Sequence, residues 1–176
     1  MKTYPYLVLT ALFALASCSE KQEATENHDK ANTGELESFI LKTAPENAQP
    51  IYTTRESAKP GDTITVHGKV MGSKDVFVPG RAILQLGDPE TITSCDLKGD
   101  DHCTTPWDVC CDDPDTVKES TLTVQVVDAD GNLIKSGLKG VSGIKELSEL
   151  VVTGKVAEGS NEDNLMLNAT GIYVKP

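Results

Sequence analysis

DTITVHGKVMG, residues 62–72, alternates: Ile64, Val66, Gly68 and Val70 fall on one side and Thr63, Thr65, His67 and Lys69 on the other. A period of two marks a strand with one buried face. Gly68 stands in the middle of the apolar side, where a long strand that must bend needs a residue without a side chain. Phe77, Val78, Pro79 and Gly80 then read as a loop or bulge, and RAILQLGD predicts a second strand over about 81–86. STLTVQVVDADGNLIKSG predicts a third over 122–127, turned at Asp130-Gly131 into a short return strand over 132–135. DADGN resembles the start of a calcium loop, but the sixth and twelfth positions are Leu133 and Lys139 where Gly and Glu are required, so it is read as a hairpin turn.

In KGVSGIKELSEL the period changes. Val141, Ile144 and Leu147 fall three apart behind Ser142, a residue suited to an N-cap, so a short amphipathic helix is expected. ELVVTGKVAE and NLMLNATGIYVK predict the last two strands, over about 149–157 and 164–175. Three strands, one helix and two strands, with a glycine inside the first, resemble the OB-fold, a five-stranded Greek-key barrel. The fold expected is therefore all-β with one short helix, carrying a cysteine-rich insertion between strands two and three; a small β-sandwich is the alternative.

The chain opens with one lysine, an apolar run over 6–16 and small residues leading into Cys18. Such a run is too short to cross about 30 Å of hydrocarbon as a helix, so it reads as a signal-peptide core. Leu15-Ala16-Ser17-Cys18 resembles a bacterial lipobox, which implies a signal peptide over 1–17 and lipidation of Cys18. Ser19, where an inner-membrane retention signal would place Asp, points to the outer membrane, facing the periplasm. SEKQEATENHDKANTGELE is nearly free of large apolar residues and cannot bury enough surface to offset its ordering entropy. Residues 18–50 are thus expected to be the lipidated cysteine and a flexible acidic tether, and 51–176 the barrel domain with its cysteine loop at 95–115.

Removal of the first seventeen residues leaves 15 basic against 27 acidic side chains, a net charge of −12 with histidine neutral. A chain this acidic, without a basic groove, is repelled by phosphate backbones, so nucleic acid is excluded as a partner. The partners expected are the membrane, through the N-terminal lipid, and a protein of the cell envelope. No phosphate-binding glycine loop, H-E-x-x-H or G-x-S-x-G is present, and the chain does not read as an enzyme.

CDLKGDDHCTTPWDVCC, residues 95–111, gathers four of the five cysteines. In an exported protein with one lipidated cysteine the remaining even four read as two disulfides. A bond between adjacent Cys110 and Cys111 is strained, which leaves Cys95 bonded to one member of that pair and Cys103 to the other. Trp107, the one tryptophan, is expected to pack the loop against the barrel wall. It and His67 are also the residues expected at a partner contact. A metal site is the alternative, holding zinc or copper through Cys95, His102, Cys103, Cys110 and Cys111. Two features speak against it: the C-x7-C-x6-C-C spacing lacks the usual two-to-four-residue pairs, and adjacent cysteines diverge in extended backbone. A thiol oxidoreductase is the third reading, disfavoured by the many loop aspartates, which raise a thiol's pKa.

Lipobox, acidic tether, OB-like strand order and TPWDVCC together are similar to a family of exported bacterial lipoproteins of unknown role. The resemblance implies the compartment and the fold and no activity. The function expected is that of a membrane-anchored, non-catalytic binding or structural module with a disulfide-stapled loop and no cofactor.

Overall fold

The computed structural model describes residues 34–99 and 103–176. The signal segment, Cys18, residues 19–33 of the expected tether and His102 lie outside the described residues. Their strands are β1 (Gln49–Pro50), β2 (Thr63–Lys69), β3 (Ile83–Gly87), β4 (Thr121–Gln125), β5 (Glu149–Val156) and β6 (Met166–Val174). Short α-helices lie between them, α1 (Ile51–Arg55) and α2 (Pro114–Glu119). No described helix is long and apolar enough to cross a membrane.

Five strands close a barrel. Along its whole length β2 runs antiparallel to β5, from Thr63 opposite Lys155 to Lys69 opposite Glu149. The ring continues antiparallel from β5 to β6, parallel from β6 to β4 and antiparallel from β4 to β3. It shuts where Lys69 of β2 meets Gly87 of β3. In order of the five long strands this is first, second, third, fifth, fourth and back to first, an OB-fold-like all-β barrel. Closure removes the sandwich alternative. The alternation read in residues 62–72 holds: Val66, Gly68 and Val70 are buried, and Thr63 is exposed with Thr65, His67 and Lys69 half-buried. A Cβ on Gly68 would stand 2.7 Å from Leu86 Cγ, 2.8 Å from Ile51 Cδ1 and 2.9 Å from the Gly87 carbonyl, so close approach at the seam dictates the glycine.

Beyond Gly68 the first strand does not run on along β3. Residues 76–78 take that edge, with Phe77 bridged to Leu84 and the Gln85 N–H donating to the Val76 carbonyl. The core runs through Val66, Leu84, Leu86, Val124, Leu150, Val152, Leu167 and Ile172, the inward positions of the five barrel strands.

Three expectations need correction. The helix expected around 141–147 is a single 3-10 turn, Val141–Gly143. Gly140, Ser142, Gly143 and Leu147 all have positive φ, which an α-helix of L-residues does not tolerate. Val141 and Ile144 are nevertheless buried, so the spacing of three reported the covering of the core and not a helix. The return strand over 132–135 is one bridge, Val127 to Leu133, on a turn in which the Asp128 carboxylate accepts from the N–H groups of Asp130 and Asn132. Finally, residues 34–50, which composition assigns to the tether, belong to the compact unit. Leu36 is wholly buried, Ile40 bridges Ile172 of β6 in parallel, and Leu41 covers Gly171. A few apolar residues spaced along a polar stretch suffice to dock it, because β6 offers free backbone groups on that side: the Ile172 N–H donates to the Phe39 carbonyl.

Candidate metal centre

The long connection from β3 to β4 is folded by its own contacts. Asp88, wholly buried, starts it, and its backbone N–H donates to the Ser120 carbonyl at the far end. A short ladder follows, with the Cys95 N–H donating to the Asp108 carbonyl and the Asp96 N–H to that of Pro106. Met71, Ile92 and Val109 form a small second core beneath, with Trp107 and Val117 packed on it. The indole N–H of Trp107 donates to the Lys74 carbonyl at 2.9 Å, and its own carbonyl accepts from the Gly72 N–H. Asp113 caps α2, accepting from the N–H groups of Asp115 and Thr116, with Pro114 at the first helical position.

Trp107 therefore packs half-buried between the loop and the barrel, whose core it also touches. Trp107→Phe should keep an aromatic ring on the second core and lose the bond to Lys74 with part of the indole's contact area. We expect a loss of about 1 kcal/mol, read as a shift of the denaturant midpoint by circular dichroism. His67, the other residue expected at a contact, is half-buried on β2 with Nε2 3.6 Å from Glu90 Oε1. Beside it Lys69 Nζ donates to Ser94 Oγ at 2.9 Å and stands 3.6 Å from Asp96, tying the outer face of β2 to the residues just before Leu97.

This framework brings the four loop cysteines to one point. Cys110 Sγ lies 3.3 Å from Cys103 Sγ, 3.9 Å from Cys95 Sγ and 3.9 Å from Cys111 Sγ, and all four sulfurs lie within 4.8 Å of one another. No two are at bonding distance: a disulfide needs about 2.05 Å. The expected pair of bonds to Cys110 and Cys111 is therefore not what the structure holds. The objection from adjacent cysteines also fails. Cys110 and Cys111 occupy the centre of a turn, closed by the Asp112 N–H on the Val109 carbonyl at 2.9 Å, and not extended backbone. A turn can aim two consecutive side chains at the same point; a strand cannot.

Two of these distances, Cys110 to Cys95 and to Cys111, are close to those of a tetrathiolate. A tetrahedral ion with about 2.3 Å metal–sulfur bonds separates its sulfurs by about 3.8 Å. His102, one of the five residues of the metal alternative, lies outside the described residues, and four sulfurs complete a tetrahedral set without it. Lys98 borders the cluster, held by a 2.5 Å bond to Asp112 Oδ1, while Asp112 Oδ2 accepts from the Thr93 N–H. Its ammonium is attracted to Cys95 and Cys111 and would offset part of the charge that four thiolates bring.

Burial pushes the Cys95 thiol up. Cys103 and Cys110 are pushed to about 11, Cys103 by its bond to Cys95 and Cys110 by its bond to Cys103. A nucleophilic thiol of an oxidoreductase has the opposite shift. No protein family, curated protein or solved structure matches the chain. The fold and the cluster define it as an OB-fold-like barrel that gathers four cysteine sulfurs in the loop between its second and third barrel strands.

Sequence reasoning missed Asp88, the Lys98–Asp112 pair and α2. The first two are long-range contacts with no local signature. For α2 the signal was present: Asp113 followed by Pro114 is a helix start.

Proposed function

We propose that this chain is a lipid-anchored, non-catalytic protein of the bacterial envelope whose barrel carries a single site for a thiophilic metal ion, with Cys95, Cys103, Cys110 and Cys111 as ligands. The observation that carries the reading is the convergence of four sulfurs within 4.8 Å on a loop that hydrogen bonds and a second apolar core hold in place. Soft thiolates select Zn2+ and Cu+ over hard cations. The lipid on Cys18 supplies attachment to the outer membrane, and the acidic surface keeps the barrel off anionic headgroups and nucleic acid.

The test is metal content and thiol reactivity of the mature chain, purified in detergent from an exporting host. One zinc or copper per chain is expected, with a Zn2+ dissociation constant of about 1 nM or tighter. Cobalt substitution should give the intense charge-transfer absorption of thiolate ligation, and Cys95→Ser, which leaves three sulfurs, should weaken it. If the four thiols resist alkylation until reductant is added and no metal is bound, the reading is wrong and the loop is a disulfide staple on a binding module. That outcome has one structural point in its favour, the 3.3 Å between Cys103 and Cys110.

A further inference from the structure

The four sulfurs are not equally covered. Cys95 is 5% exposed, set in the ladder against Asp108, and Cys103 is half-buried. Cys110 and Cys111 are exposed, side by side at the tip of their turn. Leu97, the most exposed large apolar residue among those described at 69%, stands two residues from Cys95. Four sulfurs fill a tetrahedral shell and leave no open position, so an ion held here leaves only as a sulfur is exchanged, and the two outward sulfurs are the ones a partner can reach.

We infer that the site is built to hand its metal on, by direct ligand exchange with a thiol-bearing acceptor that approaches from the Cys110–Cys111 side. This rests on the metal reading above and adds to it the route and the kind of partner. The acceptor thiol bonds to the ion from the open side as a fifth ligand, and the bond to Cys111 Sγ breaks. The proton given up by the incoming thiol ends on Cys111 Sγ, so charge balances and no oxidant or reductant is involved. Repetition at Cys110 and then at Cys103 leaves the ion on the acceptor. Cys95 releases last, because its sulfur is covered and its backbone fixed.

Cys111 leads for two reasons. It is exposed, and its neighbour in sequence, Cys110, is the sulfur in close contact with all three others, so loss of the Cys111 bond leaves the remaining three sulfurs together. Lys98, bonded to Asp112 Oδ1, sets a positive charge near Cys111 and Cys95.

The experiment uses the full mature chain in detergent, loaded with Zn2+, mixed with a metal-free zinc-finger peptide whose folding reports capture of the ion. The expected result is a transfer rate that doubles whenever the peptide concentration doubles, without saturation at a dissociation-limited plateau. Alkylating Cys110 and Cys111 in the metal-free chain should abolish loading. Cys111→Ser, which leaves three sulfurs, should still load Zn2+ and transfer faster than the unaltered chain. A rate independent of peptide concentration in a chain that does hold one Zn2+ overturns the exchange route and leaves the metal site standing. A chain that holds no Zn2+ at all overturns both. Equal transfer from Cys111→Ser and the unaltered chain removes Cys111 as the first ligand to leave, and with it the direction of approach.

Discussion

Gly154→Val should strip the barrel of a large share of its stability. Gly154 lies buried in β5 at the point where its register with β6 shifts, between Thr153 opposite Gly171 and Gly154 opposite Ala169. A Cβ there would come 2.4 Å from the Asn168 carbonyl oxygen and 2.9 Å from both Asn168 C and Ala169 Cα. All three atoms are backbone, so no rotamer change can make room. The strands would have to part at one of the two longest pairings of the ring, and the cost of such overpacking is about 3 kcal/mol. Against a total of about 5–15 kcal/mol for an ordinary domain, valine should remove a large share of the stability and lower the urea midpoint steeply. Gly154→Ala makes the same first contact and should already lower the urea midpoint clearly. Gly137→Ala is the control: nothing lies within 4 Å and the glycine is not in the left-handed region, so stability should hold or rise slightly. If Gly154→Ala unfolds within about 0.5 kcal/mol of the unaltered chain, the bulge is not the tight contact described.

The barrel was legible because its information is local. Alternation in residues 62–72 and in the last two strands is written into consecutive side chains, and a single glycine marked the seam. What was not legible depends on contacts between distant residues. Leu36 is one apolar residue in a polar stretch, and nothing near it announces that β6 has an open side to receive it. Val141 and Ile144 were rightly placed in the core but wrongly placed on a helix, since a repeat of three cannot separate a helix from a 3-10 turn when glycines flank it. The cysteines failed in a more instructive way. Their spacing argued against a shared ligand set only under the assumption of extended backbone. The Val109–Asp112 turn and the ladder joining residues 95–96 to 106–108 invert that argument, bringing Cys95 to Cys110 across fifteen positions of sequence.

Asp88→Ala should loosen the barrel and the cysteine loop together. This carboxylate is wholly buried at the end of β3, yet no cation pairs with it among the described contacts. Oδ2 accepts from the Tyr52 N–H and Oδ1 from the Glu90 N–H, each at 2.9 Å. The first bond holds the amino end of α1, whose Ile51 fills the space against Gly68; the second shapes the turn that leads to Ile92 and the loop core. Alanine takes the acceptor from two part-buried N–H groups, so a loss of about 1–3 kcal/mol is expected in urea unfolding. The Asp88→Asn variant would keep one acceptor oxygen and set an amide N–H against a backbone donor, so it should recover only part of the loss. The linked readout is Zn2+ affinity. Because Asp88 touches none of the four sulfurs, weaker Zn2+ binding in Asp88→Ala would show that the site depends on the loop's anchorage to α1. Unchanged affinity with the stability loss intact would show that the ladder and the Trp107 packing hold the four sulfurs on their own.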